Sequence, residues 1–435
     1  MNRELFGTDG IRGVAGEYPL NQDGITKIGR AVGTHFGQPG DTMLLAGDPR
    51  QSSPEIIRWM KATLAEVGIR VKVIGMLPTP GLAYLTQKTG AKAGVMITAS
   101  HNPYTDNGVK VFGPGGSKLS DQVETDLNVL IDQTLPDRAG GSVEDASDLI
   151  VQYEDFLVST ANGASFESQR IVLDTANGAT SKLAERVFSR LGFDVVALFD
   201  EPNGVNINLA CGATDTLALQ AAVTDGGLPM GLAFDGDGDR LMLVDSRGKR
   251  LDGDHMLYIL ATSNGASGVV TTIMSNLGLM TKLHALGIDV RVTDVGDRYV
   301  LEGLEQTGYT IGTEKSGHVI LPEFSPTGDG LLAALQVLRA VQSSGKTLAD
   351  WFDELVLLPQ KLVNIPVTDK KLLEDESIQA YITSENEKLK GIGRLNVRPS
   401  GTESKIRIMV EAPGAVDRAD VIAEDLAELF KKLGE

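Results

Sequence analysis

The sequence predicts an α/β chain: three similar mixed α/β domains and a smaller C-terminal α+β domain, arranged around one central cleft. Three observations carry this reading. Short apolar runs alternate with stretches of helical period, as in largely parallel sheets covered by helices. Three of these runs begin near a small residue and end in a polar loop: Ala93–Ile97 before Thr98–Pro103, Met230–Phe234 before Asp235–Arg240, and Tyr309–Gly312 before Thr313–His318. Open α/β sheets bind ligands at the carboxyl ends of their strands, so three such ends can line one cleft. Beyond Pro359 the pattern changes to a smaller unit that closes with the alternating strand Lys405–Val410 and an amphipathic helix, Asp417–Leu433.

The elements follow in order. Asn21–Phe36 places Ile25, Ile28, Val32 and Phe36 at helical spacing, and Thr42–Ala46 reads as a strand. Ser53-Pro54 reads as an N-cap with proline at N1 of a helix that Gly68 closes. Strand Val71–Ile74, helix Gly81–Lys88, strand Ala93–Thr98 and helix Asp121–Leu135 complete the first domain. Asp106-Asn107-Gly108 is a hairpin signal, and Pro136–Asp148, rich in Gly, Ser and acids, reads as a linker. The second domain has strand Arg170–Leu173, helix Ser181–Leu191, strand Asp194–Leu198 and a hairpin around the aspartates. The third has helices near Asp254–Thr262, Leu279–Leu286, Tyr299–Gln306 and Gly330–Val341, with strands Val269–Met274, Asp289–Thr293 and Tyr309–Ile311. Domain bounds are expected at 1–148, 149–249, 250–356 and 357–435.

Composition narrows the function. The 435 residues carry 42% apolar and 23% charged side chains, ordinary for a globular protein. A net charge of −18 argues against general binding to nucleic acid or an anionic membrane, so a phosphate ligand must rely on local basic residues. Cys211 is the single cysteine, which excludes intramolecular disulfides and thiolate metal clusters. There is no signal-peptide pattern around Glu4 and Asp9 and no apolar run of about 18 residues, so a cytoplasmic protein is expected.

The stretch Asp235-Gly236-Asp237-Gly238-Asp239-Arg240 organises the rest. Carboxylates at every second position of an extended chain lie about 7 Å apart, too far to share one ion at roughly 2.1 Å. The glycines let the loop curl until the oxygens converge, and hard oxygen ligands in a tight loop suit Mg²⁺. An EF-hand needs Gly and Glu where this chain has Arg240 and Ser246. A purely structural hairpin would not set like charges so close.

Ser100 sits just past a strand, in a loop that Asn102-Pro103 keeps from becoming helix. His101 is either a packed histidine or a catalytic one. Lys110, between valines, is either a solvated strand lysine or a cation aimed at the cleft. Arg398-Pro399-Ser400-Gly401-Thr402-Glu403-Ser404 offers a guanidinium, hydroxyls and backbone N–H groups around a glycine, a fit for a phosphate cradle, to which Arg407 adds a second guanidinium.

Taken together, Gly7-Thr8-Asp9-Gly10-Ile11-Arg12-Gly13, the Thr98–Pro103 segment, the three aspartates, Glu314-Lys315-Ser316-Gly317-His318 and the Arg398–Glu403 loop occur in an order that resembles the α-D-phosphohexomutase superfamily over essentially the whole chain. The opening heptad and Pro202–Asn208 are most similar to its amino-sugar branch. The resemblance implies a phosphoserine at Ser100 that donates and recovers a phosphoryl group, with its phosphate, Asp235, Asp237 and Asp239 holding Mg²⁺. It implies that Glu314, Ser316 and His318 contact sugar hydroxyls. Arg398, Ser400, Gly401, Thr402 and Arg407 would hold the phosphate not being transferred. Arg12, Lys110 and Arg240 would stabilise charge near the phosphoserine, with Lys110 or His101 carrying the proton. The implied substrate is a small-molecule hexosamine phosphate, passing through a sugar bisphosphate that is also the activator, and a homodimer is implied. A glucose or mannose phosphate substrate is the alternative within the superfamily. The carboxylates alone also suit an aspartyl phosphatase, and a non-catalytic sugar-phosphate binder is a third reading. Lys315 stands between two sugar-facing residues, where an ammonium is unfavourable beside a 2-amino group unless it points elsewhere.

Overall fold

Four sheets carry the architecture in a computed structural model that describes residues 5–6, 10–367, 369–400 and 405–434. The first sheet contains β1 (Ile11–Val14), β2 (Thr42–Gly47), β3 (Arg70–Met76), β4 (Ala93–Ile97), β5 (Asp106–Phe112) and β6 (Ser142–Asp145), in the order β1-β5-β4-β2-β3-β6. Its centre is parallel, while β5 runs antiparallel to both β4 and β1. The second contains β7 (Arg170–Asp174), β8 (Asp194–Leu198), β9 (Met230–Phe234), β10 (Leu241–Asp245) and β11 (Arg250–Leu251), in the order β11-β10-β9-β7-β8. The third contains β12 (Gly268–Thr272), β13 (Asp289–Thr293), β14 (Gly312–Thr313) and β15 (Val319–Ile320), in the order β13-β12-β14-β15.

One device recurs in all three sheets. A buried strand from the parallel part turns back as an antiparallel neighbour: β4 into β5, β9 into β10, β14 into β15. The connection in each case is one of the three polar loops. β4 and β9 are buried along their whole length, as strands covered on both faces must be.

The three sheets lie in a unit that takes the chain up to Met274 and from Gly287 to Glu354. A second unit takes Ser275–Leu286 and the chain from Leu355. It holds β16 (Gln360–Pro366), β17 (Arg394–Pro399) and β18 (Lys405–Glu411) as an antiparallel sheet, β16-β18-β17. Ile406, Ile408 and Val410 pack there against Ile422, Leu426 and Phe430 of the C-terminal helix Ala415–Gly434. No described helix is long and apolar enough to cross a membrane.

Four local expectations give way. Asp106-Asn107-Gly108 is not a turn but the start of β5, opposite Val14, Gly13 and Arg12. A Cβ on Gly108 would lie 2.5 Å from both the Ile11 and the Thr98 carbonyl oxygens, so the glycine serves close backbone approach. Ser53 does not cap its helix; its hydroxyl donates to Asp48 (3.1 Å), and Ser52 precedes the first turn. The stretch read as a linker contains β6, parallel to β3, with every side chain exposed. An edge strand held only through its backbone leaves no apolar pattern to read. Finally, the strand expected at Tyr309–Ile311 pairs as Gly312–Thr313 instead.

Candidate active site

Ser100 is the first residue to place. It follows β4 with φ +52°, a left-handed conformation that costs a non-glycine residue free energy. Its surroundings hold it there. Its N–H donates to Thr98 Oγ1 (2.9 Å), and its carbonyl accepts from Arg50 (2.7 Å) and Asn208 (2.9 Å). Arg50 is wholly buried, paired with Asp48 at 2.8 Å, and also donates to the Pro103 and Asp106 carbonyls. One guanidinium thus fixes the whole loop.

This conformation turns the Ser100 hydroxyl into the aspartate loop, where it donates to Asp235 Oδ2 at 2.7 Å. Asp235, Asp237 and Asp239 are buried, and each offers an oxygen within 4.8 Å of the others. The loop is fastened on several sides. Thr79 donates its N–H to the Asp237 carbonyl (2.9 Å) and its hydroxyl to Asp237 Oδ2 (2.6 Å). Ala179 N–H donates to Gly236 O and Gly330 N–H to Gly238 O. Gly238, at φ +74°, makes the curl that the alternating glycines imply.

The basic residues gather here too. Lys110 donates to Asp237 Oδ2 (2.7 Å) and Asp239 Oδ2 (3.3 Å) and is buried against the aspartate loop. Burial, then the charges of Asp239 and Asp237, push the Asp235 carboxyl well above the usual range. Burial acts the same way on Asp237 and Asp239, but Lys110, joined by Thr79 at Asp237 and by His318 and Arg240 at Asp239, outweighs it and both are held low. His101 Nδ1 lies 3.3 Å from Ser100 Oγ. Burial, with the cations Arg240 and Arg12 nearby, drives the His101 pKa down to about 4, so the ring is neutral near pH 7.

The donor set fits a hard divalent cation. It consists of carboxylate and hydroxyl oxygens, and Asp237 Oδ1 is fully buried without a hydrogen bond. A buried, unsatisfied carboxylate oxygen is costly unless a cation faces it.

The third loop is joined to the second by backbone. Arg240 and His318 form an antiparallel bridge, and Leu241 N–H donates to Gly317 O (3.0 Å). Glu314 is steered by Gly296, whose N–H donates to its Oε1 (3.1 Å), while Ser316 Oγ is buried without a hydrogen-bond partner among the described residues. His318 is only 3% exposed, with Asp239 Oδ1 3.8 Å from Nδ1 and Asp297 Oδ2 3.3 Å from Nε2. Burial disfavours its charged form, but these carboxylates outweigh burial and raise its pKa. The His318 carbonyl accepts from Glu314 N–H (2.9 Å), so His318 sits between the aspartate loop and Glu314.

In the second unit, Arg398 and Arg407 are register partners on β17 and β18. Burial, then the Arg407 charge beside it, lower the Arg398 pKa. Ser400 is buried, and its carbonyl accepts from Lys370 (2.6 Å). Gly401 and Thr402 lie outside the described residues, as do Gly7, Thr8 and Asp9.

Sequence profiles named phosphoglucomutase/phosphomannomutase match the chain in four consecutive pieces: α/β/α domain I over 3–136, domain II over 152–248, domain III over 252–357 and the C-terminal domain over 362–429. The chain belongs to the phosphoglucomutase/phosphomannomutase family. Among relatives in this family, the phosphoglucosamine mutase of Thermus thermophilus is 44% identical over all of this chain and 99% of its own length. That of Deinococcus radiodurans is 45% identical over 97% and 96%. A Burkholderia thailandensis phosphoglucomutase/phosphomannomutase family protein shares the fold at TM-score 0.81 and 24% identity, covering 99% of this chain and 97% of its own. Aspergillus fumigatus N-acetylphosphoglucosamine mutase, solved with GlcNAc-6P and magnesium, shares it at 0.69 and 18% over 98% and 96%. As a phosphohexomutase of this family the protein is an isomerase.

Sequence reasoning left Thr79 and Lys370 unassigned and gave Arg50 no role. Each acts on a loop far away in sequence, and Pro78-Thr79-Pro80 carries no signal beyond a helix start.

Proposed function

We propose that this chain is a phosphoglucosamine mutase, interconverting glucosamine 6-phosphate and glucosamine 1-phosphate in amino-sugar nucleotide synthesis. The contact between the Ser100 hydroxyl and Asp235 carries the reading: a strained, buried serine donates to one of three clustered carboxylates, on which Lys110 also sits. The full-length relatives named phosphoglucosamine mutase supply the substrate.

In this reading Ser100 carries a phosphoryl group. The sugar hydroxyl attacks it, the Ser100 O–P bond breaks as the new sugar O–P bond forms, and the hydroxyl proton passes through the neutral His101 to the departing Ser100 Oγ, 3.3 Å from its Nδ1. Lys110, Arg12 and Arg240 offset charge on the phosphoryl oxygens, where positioning and neutralisation are the main catalytic terms. Glu314 and Ser316 hold sugar hydroxyls, and Arg398, Ser400, Gly401, Thr402 and Arg407 hold the other phosphate. The bisphosphate then turns end for end and returns its other phosphoryl group to Ser100. Asp235, Asp237, Asp239 and the phosphoserine would hold Mg²⁺, which supplies Lewis-acid charge at the transferred group. His318, beside both Asp239 and Glu314, positions Asp239 and offers a further contact to a sugar hydroxyl.

The test is intact-protein mass with peptide mapping, followed by kcat/KM on the 6-phosphates of glucosamine, glucose and mannose. Phosphate at Ser100 that is lost to added sugar phosphate, with glucosamine preferred at least about tenfold (about 1.4 kcal/mol), is the expected result. Persistent phosphate, full activity in Ser100→Ala with release of inorganic phosphate, or a preference for glucose or mannose overturns it.

A further inference from the structure

The loop that faces the sugar carries a lysine at its centre, and the structure shows where that charge goes. The helix Gly253–Ser263 begins directly under the loop. Asp252 caps it, accepting from Asp254 N–H (3.2 Å) and from His255 Nδ1 (2.9 Å). Gly253 N–H donates to the Lys315 carbonyl (3.3 Å). A Cβ on Gly253 would stand 1.9 Å from the Glu314 oxygen and 3.1 Å from Lys315 Cα, so only glycine lets the loop rest on the helix end. The Lys315 side chain folds back over that end. Its Nζ lies 3.9 Å from Asp254 Oδ2; the carboxylate is fully buried and the lysine side chain 25% exposed. Glu314 and Ser316 flank Lys315 on the loop.

We propose that Asp254 is a specificity-determining residue: by drawing the Lys315 ammonium onto the helix end, it keeps a cation out of the sugar pocket and lets the loop accept a 2-amino sugar phosphate. This rests on the substrate reading above. An aliphatic amine is largely cationic near pH 7, and two like charges a few ångströms apart in a partly desolvated pocket repel strongly. A neutral 2-hydroxyl meets no such penalty. The pair therefore acts on the ratio of amino to hydroxy substrate and leaves the shared chemistry alone.

The measurement is kcat/KM for glucosamine 6-phosphate divided by that for glucose 6-phosphate, in wild type, Asp254→Asn, Lys315→Gln and the double variant. Asp254→Asn removes the buried charge that draws the ammonium to the helix end and lowers the ratio by about tenfold or more, through the amino substrate. Adding Lys315→Gln to it restores the ratio to within about threefold of wild type, since the charge is gone. Lys315→Gln alone moves the ratio less than about threefold, because Asp254 has already withdrawn that charge. The single Lys315 variant keeps the test open should Asp254→Asn fail to fold. A rise of about tenfold on Lys315→Gln alone, an unchanged ratio in folded Asp254→Asn, or a double variant that does not recover overturns the proposal. A wild type that prefers glucose 6-phosphate overturns the substrate reading instead; a wild type that prefers the amino sugar while the variants stay flat overturns only this inference.

Discussion

Asp329 shows how a residue outside the chemistry supports it and what that costs. It caps the helix Gly330–Ser344 by accepting from Leu332 N–H (3.0 Å), takes a hydrogen bond from Tyr153 Oη (2.8 Å), and precedes Gly330, whose N–H holds the Gly238 carbonyl of the aspartate loop. Burial raises its pKa to about 6 from an ordinary 3.8. Between those values the folded state binds the proton more tightly than the unfolded chain, so this group's contribution to stability is fully present below about pH 4 and is lost as pH rises through about 6. The loss is on the order of 3 kcal/mol. Asparagine keeps the cap and a Tyr153 partner without a charge. Urea denaturation of Asp329→Asn and wild type should therefore show the variant gaining on wild type by about 3 kcal/mol between pH 4 and pH 7, with the gain flat above pH 7. A difference independent of pH contradicts the assignment.

At the scale of elements, one hairpin device used three times builds the site. The aspartate and serine loops touch through backbone: a Cβ on Gly236 would lie 2.6 Å from the Ser100 oxygen and 2.7 Å from Asn208 Nδ2. Gly236→Ala must push the two loops apart by about an ångström, and a displacement of that size in a phosphoryl-transfer site costs about a hundredfold in rate. The cost to stability should be only about 1–3 kcal/mol. We expect kcat to fall by that factor while KM for the sugar phosphate moves little, measured on enzyme first phosphorylated at Ser100; a kcat within about threefold of wild type refutes the close contact. These loops were legible in the sequence because an apolar strand ending in a polar, glycine-rich run has few other uses. The aspartates could be read alone, since alternating like charges need a counter-charge. Ser100 could not, because serine is an ordinary turn former until its partners are known. Asp106-Asn107-Gly108 misled because glycine serves turns and close approaches alike, and β6 was missed because an exposed edge strand needs only its backbone. Arg50 and Thr79 stayed silent for a different reason: their partners are carbonyls and carboxylates whose proximity only the folded sheets create.

For the molecule as a whole, sequence order and spatial grouping part company at one helix. Leu277–Ala285 follows β12 of the third sheet along the chain, yet it groups with the C-terminal sheet. Its first turn explains why. Leu277 N–H donates to the buried Glu411 Oε1 (2.5 Å), Asn276 exchanges two 2.9 Å hydrogen bonds with the Leu358 backbone, and Arg394 donates to the Ser275 carbonyl. Gln360 donates to the second oxygen of Glu411 at 2.8 Å, and Arg394 lies 3.4 Å from it. β18 thus carries Arg407 toward the phosphate loop and Glu411 at its far end, where the strand is anchored by a helix from the preceding domain. Removing the carboxylate leaves a helix N-terminal donor without its acceptor and takes the charged partner from Arg394, a loss of about 1.5–3 kcal/mol for hydrogen bonds to a charged group. If opening of the helix is governed by that anchor, Glu411→Ala in the full chain raises amide exchange across 275–286 by about ten- to a hundredfold. Peptides spanning β9 and β10 keep their wild-type protection, because Glu411 holds nothing there. Uniformly faster exchange in both regions would mean that Glu411 supports the whole fold, and unchanged exchange at 275–286 would mean that the helix is held by its apolar face alone.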